Sequence, residues 1–422
     1  MPNPAEETPV APAAPVLTPP RAGLPLPIMI FLGFQVVLAA SGIGWATYRV
    51  HQIDAEHVLP IPLNEPLEVL PRFDEPAVAS DEQLVRALEK LRPRLRGDKP
   101  KMNYVDHALR FWGIEARFDA ETCPNCLSGM ELRDLLLDHR QFEAAWGAKT
   151  RPFMLTGPQG IRPRLQEGEA TASHVDHTLA TLAEVGTPLD TPVMTARRET
   201  DVRALLEQSL RDFSLNQTEY EWSALAYALY LPTRTSWYSR EGQRINFDVL
   251  AERIMRQALP QGVCLGNHRM HALVMLLRVH EQQPILSEPT REAVTAFLKG
   301  VTQRFIEHQH EEGYWDRGWT GPTEPAMTEL HGPPDPLSNR VLATGHVMEW
   351  WALAPAEIHP PLDVLARAGQ WLCTTIETMT DREIDVNYTY LSHAGRALAL
   401  WRGKLPAQVK LESAVAPAAA AK

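Results

Sequence analysis

The fold is decided by a type of segment of which residues 271–279, HALVMLLRV, are an example: a short stretch, rich in alanine and leucine, that is apolar on most sides of a helix. Such a helix belongs in the interior of a protein, because no face of it suits water. Similar segments recur along the chain, and most of them begin with histidine. They are HALRFWGI from His107, HTLATLAEVG from His177, SALAYALYL from Ser223, HVMEWWALA from His346 and HAGRALALW from His393.

More amphipathic segments, such as LVRALEKL and FDVLAERIMRQAL, lie between the apolar ones. Their apolar residues recur three and four positions apart, which predicts helices with one solvated face. Buried and half-exposed helices that alternate six times are what an (α/α)6 toroid requires, an all-α fold with an inner ring of helices inside an outer ring. An open α-solenoid built from the same hairpins is the alternative, and the sequence leaves closure of the ring open.

The N-terminal region contains one long apolar stretch. No charged residue lies between Arg21 and Arg49, and residues 28–48 read IMIFLGFQVVLAASGIGWATY, long enough to cross the ~30 Å hydrocarbon layer of a bilayer. We therefore expect a single transmembrane helix over residues 27–49, with residues 28–48 in contact with lipid. A cleavable signal peptide is the alternative. One arginine at each end leaves the orientation open, while the short N-terminal tail favours an extracytoplasmic body.

Composition divides the rest of the chain. Residues 1–26 are rich in proline and alanine and are expected to be a disordered tail. Residues 50–80 carry prolines among acidic residues, which predicts an extended linker that holds the body away from the bilayer. Residues 81–404 would form the helical toroid, and residues 405–422, which end in an alanine-rich run, a second disordered tail.

Length and charge limit the classes of function. The chain has 422 residues, 44% of them hydrophobic and 22% charged, so it can bury a large core. Its net charge of −11 repels polyanions, and we expect no nucleic-acid partner. The sequence has no glycine-rich phosphate loop, no Gly-x-Ser-x-Gly elbow and no His-Glu-x-x-His helix.

Polar residues accompany the histidines that begin the apolar segments. His174 precedes His177 by three residues, His268 precedes His271 by three, and Glu349 follows His346 by three. Residues three apart share one face of a helix, so in a closed toroid these groups would gather at one mouth of the barrel. Imidazoles exchange protons near neutral pH. A structural role as helix caps or as satisfied core residues is the alternative.

Three short motifs on these segments resemble those of one known family, the N-acylglucosamine and cellobiose 2-epimerases. Asn267-His-Arg-Met-His271-Ala-Leu is similar to their Asn-x-x-Met-His-x-Leu helix, Thr344-Gly-His346-x-x-Glu349-Trp350 to their Gly-His-x-x-Glu helix, and Ser392-His393-x-x-Arg396 to their closing His-x-x-Arg. The chain departs from the family at Val274 and Met275, where an acidic residue normally stands. The resemblance implies an (α/α)6 barrel.

The resemblance also implies the chemistry of the site. His346 and His393 would be the acid and base that move a proton at the carbon next to a sugar carbonyl, and His271 and Glu349 would orient the substrate or one another. The residues expected to line a carbohydrate site beside them are His177, His268, Trp350 and Arg396. Proton transfer of this kind requires no cofactor, and we predict none.

A second resemblance lies at Gln309-x-x-x-Gly313-x-Trp315, which is similar to the Gln-Trp repeat of squalene and oxidosqualene cyclases, also helical toroids. The acidic Asp-x-Asp-Asp proton donor of those enzymes is absent from the sequence. The same run could place Trp315 and Asp316 in a loop at the barrel mouth, as a platform for a sugar. A packed, tryptophan-rich turn is the alternative.

The run Cys123-Pro-Asn-Cys126 is the last feature with chemical potential. It offers two thiolates, but the sequence contains no second Cys-x-x-Cys, so a zinc site there would have to recruit distant histidines. A local disulfide and two idle thiols are the alternatives. The sequence thus predicts a membrane-anchored toroid with sugar epimerase or isomerase chemistry. The alternatives are a non-catalytic scaffold that binds a glycan or peptide and a terpenoid-cyclase-like toroid.

Overall fold

The structure, a computed structural model, describes residues 24–56, 59–95, 100–233, 235–259, 263–320 and 335–411. Most of these residues are helical, as the periodicity predicts. The chain divides into two compact units, Met1–Val58 and Leu59–Lys422. The parts of the two predicted tails up to residue 23 and from residue 412 lie outside the described residues.

Helix α1, Leu26–Glu56, contains the apolar stretch. Its segment Leu26–Tyr48 has a mean hydropathy of 2.1, and none of its most apolar window is buried. The helix is therefore long and apolar enough to cross a membrane. A signal sequence near the N-terminus has the same properties.

The second unit contains the remaining α-helices of the described residues, and they alternate between two degrees of burial. In chain order they are α2 Asp81–Lys90, α3 Met102–Trp112, α4 Gly129–Leu137, α5 His139–Trp146, α6 His177–Glu184, α7 Val202–Asp212, α8 Glu221–Tyr230, α9 Phe247–Arg256, α10 Asn267–Gln282, α11 Glu288–Glu307, α12 Pro336–Leu353, α13 Leu362–Thr378 and α14 Asp381–Trp401.

Six of these helices are buried on most sides and carry the apolar segments singled out from the sequence: α3, α6, α8, α10, α12 and α14. All ten residues of α8 are buried, as are Asn267–Val279 of α10. Each contacts the next in this order, and α14 also contacts α3. We refer to them as the inner helices.

The helices between them bury a single stripe each. In α2, for example, Leu84, Ala87 and Leu88 are buried and the charged residues face solvent. Local signals set where helices of both kinds begin: Ser80 and Thr380 form capping boxes at the starts of α2 and α14, and the Asn246 side chain accepts a hydrogen bond from the Val249 amide at the start of α9.

Strands are short and confined to three antiparallel pairs in the described residues. They are β1 Met154–Thr156 with β2 Ile161–Pro163, β3 Pro192–Met194 with β4 Glu199–Asp201, and β5 Trp237–Tyr238 with β6 Arg244–Ile245. The residues at the centre of the body come mainly from helices.

A glycine sets the distance between α12 and α14. A Cβ atom placed on Gly345 would lie 2.9 Å from the backbone nitrogen of Ala394 and 3.1 Å from its Cβ, closer than side chains normally approach. The absence of a side chain on Gly345 therefore lets the two helices pack backbone against backbone. The neighbouring residues His346 and His393 are brought together by this contact.

Residues 59–80, here called the strap, do not form the free linker that the prolines predict. They are extended, as expected, but they lie on the body. The amide of Leu63 donates to the carbonyl of Tyr230 at 2.7 Å, that of Glu75 donates to Trp401 at 2.7 Å, and Arg278 donates to the carbonyl of Leu70 at 2.9 Å. The prediction failed because proline excludes helix without excluding backbone pairing to a neighbouring surface. The body accordingly begins at Leu59, not at residue 81.

Candidate functional site: a buried histidine cluster

Histidine rings from five of the inner helices and from the segment before α6 meet at the centre of the body. His346 stacks on His393 with ring centroids 3.7 Å apart, His107 stacks on His177 at 4.7 Å, and His107 lies edge-on to His393 at 5.5 Å. His268 lies 5.2 Å from His346. We call this group the central cluster; its imidazoles are His107, His174, His177, His268, His346 and His393.

The sequence predicted that the histidines begin their helices and gather at one mouth of the barrel. They lie instead inside the body. His107, His346 and His393 lie well within α3, α12 and α14, and only 6%, 3% and 2% of each residue is exposed. The prediction was wrong because α12 and α14 extend further toward the N-terminus than their apolar cores suggest. His177 is the first residue of α6, as predicted.

Glu349 orients His393. Its Oε2 lies 2.6 Å from Nδ1 of His393, so the imidazole donates its Nδ1 proton to the carboxylate. Nε2 is then the basic nitrogen, and this buried atom has no hydrogen-bond partner among the residues that the structure describes. A carboxylate that fixes the tautomer of an imidazole in this way is the arrangement found behind many general bases.

Asp106 orients His177 in the same way. Its Oδ2 lies 3.0 Å from Nδ1 of His177 and also accepts a 2.7 Å hydrogen bond from the hydroxyl of Thr178. Nε2 of His177 is also buried without a partner in the described part of the chain. His177 and His393 are therefore both oriented by carboxylates, and the described residues leave the Nε2 atom of each unpaired.

Backbone carbonyls orient two further imidazoles. Nδ1 of His107 lies 2.8 Å from the carbonyl of Asn103, and Nδ1 of His346 lies 2.7 Å from that of Leu342. Each carbonyl belongs to the preceding turn of the same helix, so the tautomer is fixed locally by helix geometry. Nε2 of His346 is left as an acceptor, 3.2 Å from Nε2 of His268.

Two arginines and two glutamates form an ion network beside the rings. Arg110 pairs with Glu184 at 2.5 Å and with Glu349 at 2.8 Å, and Arg396 pairs with the same two carboxylates at 3.1 Å and 2.5 Å. His271 joins the network through Nε2, which lies 3.0 Å from Arg110. All four charged side chains are almost completely buried, and their formal charges cancel.

Burial and neighbouring charges set the protonation of these groups. The pKa values of His107, His268 and His346 are held well below the usual value because burial and the neighbouring imidazoles disfavour the charged form. Burial likewise lowers the pKa of His393 to about 4, against the attraction of Glu349. These imidazoles are neutral at neutral pH.

Burial and the neighbouring arginines act in opposite directions on the pKa values of the two network glutamates. Burial alone would raise the pKa values of Glu184 and Glu349, but the arginines outweigh it and hold both pKa values well below the usual range. Both carboxylates are therefore ionised, and Glu349 acts as an acceptor for His393.

Left-handed backbone conformations precede three of the inner helices. Asp176 (φ 55°) comes directly before α6, Glu219 (φ 61°) lies two residues before α8, and Cys264 (φ 52°) and Leu265 (φ 57°) come before α10. Residues other than glycine adopt this region at a cost of order 1 kcal/mol each. Such strain is typical of sites where the position of a side chain matters.

The structure brings most of the predicted site residues together. His177, His268, His346 and His393 belong to the central cluster, and the ion network beside it contains His271, Glu349 and Arg396. Arg110 and Glu184 were missed. The signal for both was present, since each is a charged residue within a largely apolar inner helix, and a buried charge requires a partner.

Three predicted residues lie elsewhere. Trp315 and Trp350 are completely buried, and their indole N–H groups donate to the carbonyl of Phe305 and to the side chain of Asn267, so neither has a face for a sugar. Asp316 is partly exposed beside His310, 3.2 Å from its Nε2. The tryptophan-rich run is thus a packed turn, and its interpretation as a carbohydrate platform was wrong.

Gln309 explains the motif that resembles the cyclase repeat. Its side-chain amide donates to the carbonyls of Gly313 and of Val364 in α13, both at 2.9 Å. The residue therefore fastens the end of α11 to α13.

The predicted acid and base lie too close together for their predicted role. The rings of His346 and His393 are in van der Waals contact, so in this arrangement they do not stand on opposite sides of one substrate carbon.

Cys123 and Cys126 form a disulfide. Of the three alternatives for these residues, zinc site, local disulfide and free thiols, the structure shows the local disulfide.

Comparison with known proteins gives no relative for this arrangement. No protein-family model, no curated protein and no solved structure matches the chain. The chemistry of the site must therefore be argued from its own geometry.

Proposed function

We propose that the chain is a membrane-anchored (α/α)6 toroid that moves a proton at a carbon next to a carbonyl, in the manner of a sugar epimerase or isomerase. One observation carries the proposal. His393, oriented by Glu349 at 2.6 Å, presents a buried, unprotonated and unpaired Nε2 at the centre of the body.

Helix packing supports the toroid. The six inner helices contact one another in chain order, and α14 returns to α3. Between successive inner helices lie α4 with α5, then α7, α9, α11 and α13, and α2 precedes the first, each with one buried stripe. An inner ring surrounded by an outer ring has this order of contacts, whereas an open solenoid would leave α3 and α14 apart.

The second base would be His177. Like His393 it is oriented by a carboxylate, and the ring of His107 lies against both. An epimerase requires two proton-transfer groups that reach one carbon from different sides. His346 then belongs to the wall of the site, because its stacking on His393 leaves no room for a substrate between the two rings.

The ion network supplies the complementary part of such a site. Removing a proton next to a carbonyl places negative charge on the carbonyl oxygen, and fixed cations stabilise that charge in a buried environment. Arg110 and Arg396 are the cations beside His393, since both pair with its partner Glu349, and the Glu184 and Glu349 carboxylates hold both in place.

Isotope exchange tests the proposal. The full chain, purified in detergent, would be incubated in deuterated water with aldoses, ketoses and N-acylhexosamines, and label would be followed by mass spectrometry and NMR. We expect uptake of one deuterium at the carbon next to the carbonyl. His393→Gln and Glu349→Gln should reduce the exchange rate at least 100-fold, because general-base catalysis contributes about that much.

The matched control is His359→Gln, since His359 lies outside the central cluster and packs on Phe73 and Trp401. It should exchange at the wild-type rate. Absence of label from every sugar with the wild-type chain, or equal rates for His393→Gln and wild type, contradicts the proposal.

A non-catalytic, membrane-anchored scaffold is the second candidate, and complete burial of the cluster favours it. Two arginines and two glutamates that neutralise one another inside a body are also a structural core. Under this interpretation His393→Gln would lower the melting temperature strongly and leave the sugars unlabelled in every sample.

We also propose that α1 is retained as a membrane anchor with the body outside the cytoplasm. The disulfide between Cys123 and Cys126 supports this side, because disulfides persist in oxidising compartments. Protease added outside sealed, right-side-out vesicles should digest the body. Protection of the body until detergent is added contradicts this orientation.

A further inference from the structure

A cysteine and two histidines meet beside the central cluster in a way that neither the ion network nor the proposed bases explain. Cys264 is buried and outside any disulfide, and its sulfur and one ring nitrogen each of His268 and His346 lie within 4.8 Å of one another. We propose that Cys264, His268 and His346 bind one Zn²⁺ ion.

The two imidazoles already have the spacing of metal ligands. Their Nε2 atoms lie 3.2 Å apart. Two nitrogens bound to one zinc at about 2.0–2.1 Å with a tetrahedral angle are about 3.3 Å apart. A hydrogen bond between the two rings has a similar length. The other contacts of the two histidines and of Cys264 therefore distinguish a metal site from a hydrogen-bonded pair.

The orientation of His346 is that of a ligand. Its Nδ1 donates to the carbonyl of Leu342 at 2.7 Å, which leaves Nε2 with its lone pair. Histidines that bind metals almost always donate their other ring proton to a carbonyl or carboxylate. His268 departs from this pattern, since its Nδ1 is buried without a partner among the described residues; Nδ1 would take up the proton that Nε2 gives up when it binds the metal.

Backbone strain holds the cysteine in place. Cys264, Leu265 and Gly266 are three consecutive residues in the left-handed region, directly before the first turn of α10. Only the glycine adopts this region readily. The side chain of Asn267 donates to the carbonyl of Cys264 at 3.0 Å and fixes the turn. The strained turn places the sulfur next to His268, four residues later.

The charge around the sulfur favours a cation. The carboxylates of Glu219 and Glu221 interact electrostatically with the Cys264 sulfur, and their negative charge would attract a divalent ion. Binding replaces the S–H bond with an S–Zn bond, and the thiol proton leaves to solvent.

The ligand set selects the metal. One thiolate and two imidazoles suit zinc, whereas magnesium and calcium take oxygen ligands. Three protein ligands leave the fourth tetrahedral position for water or a substrate oxygen, as in catalytic zinc sites. The proposal concerns metal binding and does not depend on the proposed proton transfer.

Metal content tests the proposal directly. The full chain in detergent would be loaded with Zn²⁺ and dialysed, and its zinc content would be measured by inductively coupled plasma mass spectrometry. We expect one zinc per wild-type chain and less than a tenth of that for Cys264→Ser and His346→Gln. Cys373→Ser is the matched control, because Cys373 is also a buried free thiol but lies in α13; it should keep one zinc.

Cobalt keeps the test independent of how well the variants fold. Co²⁺ added to the wild-type chain should produce a thiolate-to-cobalt charge-transfer band, which Zn²⁺ then removes and which Cys373→Ser retains. Two results overturn the proposal: a wild-type chain with no such band, or equal zinc in wild type and Cys264→Ser. Either would leave the imidazole pair as a hydrogen bond only.

Discussion

The rings of His346 and His393 lie face to face, 3.7 Å apart at the centroids and 25° from parallel. They come from different helices and are neighbours of Gly345 and Ala394, the two residues at which α12 and α14 touch. The stacking therefore depends on a glycine next to one histidine and an alanine next to the other.

Gly345→Ala should weaken this contact. The added Cβ would meet the Ala394 backbone nitrogen at 2.9 Å, and overpacking of this kind costs about 1–3 kcal/mol. We expect a lower free energy of unfolding in denaturant titrations. The control is Gly300→Ala on α11, where a Cβ meets no atom within 4 Å; it should be neutral or stabilise by up to about 1 kcal/mol. Equal effects of the two substitutions would contradict the close approach of α12 and α14.

Arg110→Ala should be among the most damaging substitutions in the body. It leaves Glu184 and Glu349 short of one buried cation, and breaking a buried ion network costs about 3–5 kcal/mol. The comparison is Arg86→Ala, which removes an exposed ion pair with Glu377 and should cost no more than about 1 kcal/mol. Thermal unfolding of both variants measures the difference. Losses of similar size would mean that Arg110 is accessible to water.

The body should lose stability as the pH falls below about 6.5. Four of the cluster imidazoles, those of His107, His268, His346 and His393, have an ordinary pKa of 6.5 when unfolded and a lower one when folded, about 4 for His393. Between these values the unfolded chain binds more protons, so each such histidine lowers the free energy of unfolding by about 1.4 kcal/mol per pH unit. Urea titrations from pH 7.5 to pH 5 check this.

The lowered pKa values of Glu184 and Glu349 also reduce stability as the pH falls, but at more acidic pH. Their contribution to the free energy of unfolding is complete above the unfolded pKa of 4.5 and is lost as the pH falls through the folded values.

The variant His268→Asn tests the histidine contribution. Between pH 6.5 and pH 5 its free energy of unfolding should change less steeply with pH than that of wild type. An unchanged slope would show that His268 is protonated in the folded protein.

A count of thiols tests the bridge between Cys123 and Cys126. In denaturant without reductant, a thiol reagent should detect two thiols per chain, Cys264 and Cys373, and four after reduction. The folded chain should react slowly, because both free cysteines are buried. Four reactive thiols before reduction would show that the bridge is absent from the purified protein.

The strap can be tested by truncation. A chain of residues 59–422 keeps the hydrogen bonds of Leu63 and Glu75 to Tyr230 and Trp401, whereas a chain of residues 81–422 loses them together with the buried Val78 and Ala79. We expect the longer form to be soluble and to unfold cooperatively. The shorter form should melt at a lower temperature or aggregate. Equal melting temperatures would mean that the strap adds nothing to the body.

The inner helices could be predicted because their composition leaves no face for water. HALVMLLRV and SALAYALYL became buried helices, in α10 and α8. Helix boundaries could not be predicted: α12 begins ten residues before His346, since polar residues such as Ser338 and Asn339 fit a helix as well as a loop. Whether α14 contacts α3 depends on the angles between all the successive helices. No local sequence pattern encodes these angles.

The sequence predicted His271, His346, Glu349 and His393 as site residues, from their places on the apolar segments and from the resemblance. It did not predict which residues far apart in the chain bond to each other. Glu349 bonds to His393 on another helix, and Arg110 bonds to Glu184 across α3 and α6. Cys264 carried no signal, because a single cysteine before a helix is usually a small core residue. Its backbone conformation, which only coordinates reveal, distinguishes it.

The strap has a consequence for biosynthesis. Its residues emerge from the ribosome early, yet Glu75 pairs with Trp401, and α3 packs on α14. These partners are made more than 250 residues later, and contacts between residues far apart in the chain form slowly. The nascent chain must therefore keep several largely apolar helices soluble until residue 401 has been made. We therefore expect the protein to need chaperones while it folds, because contacts such as that of Glu75 with Trp401 join residues far apart in the chain.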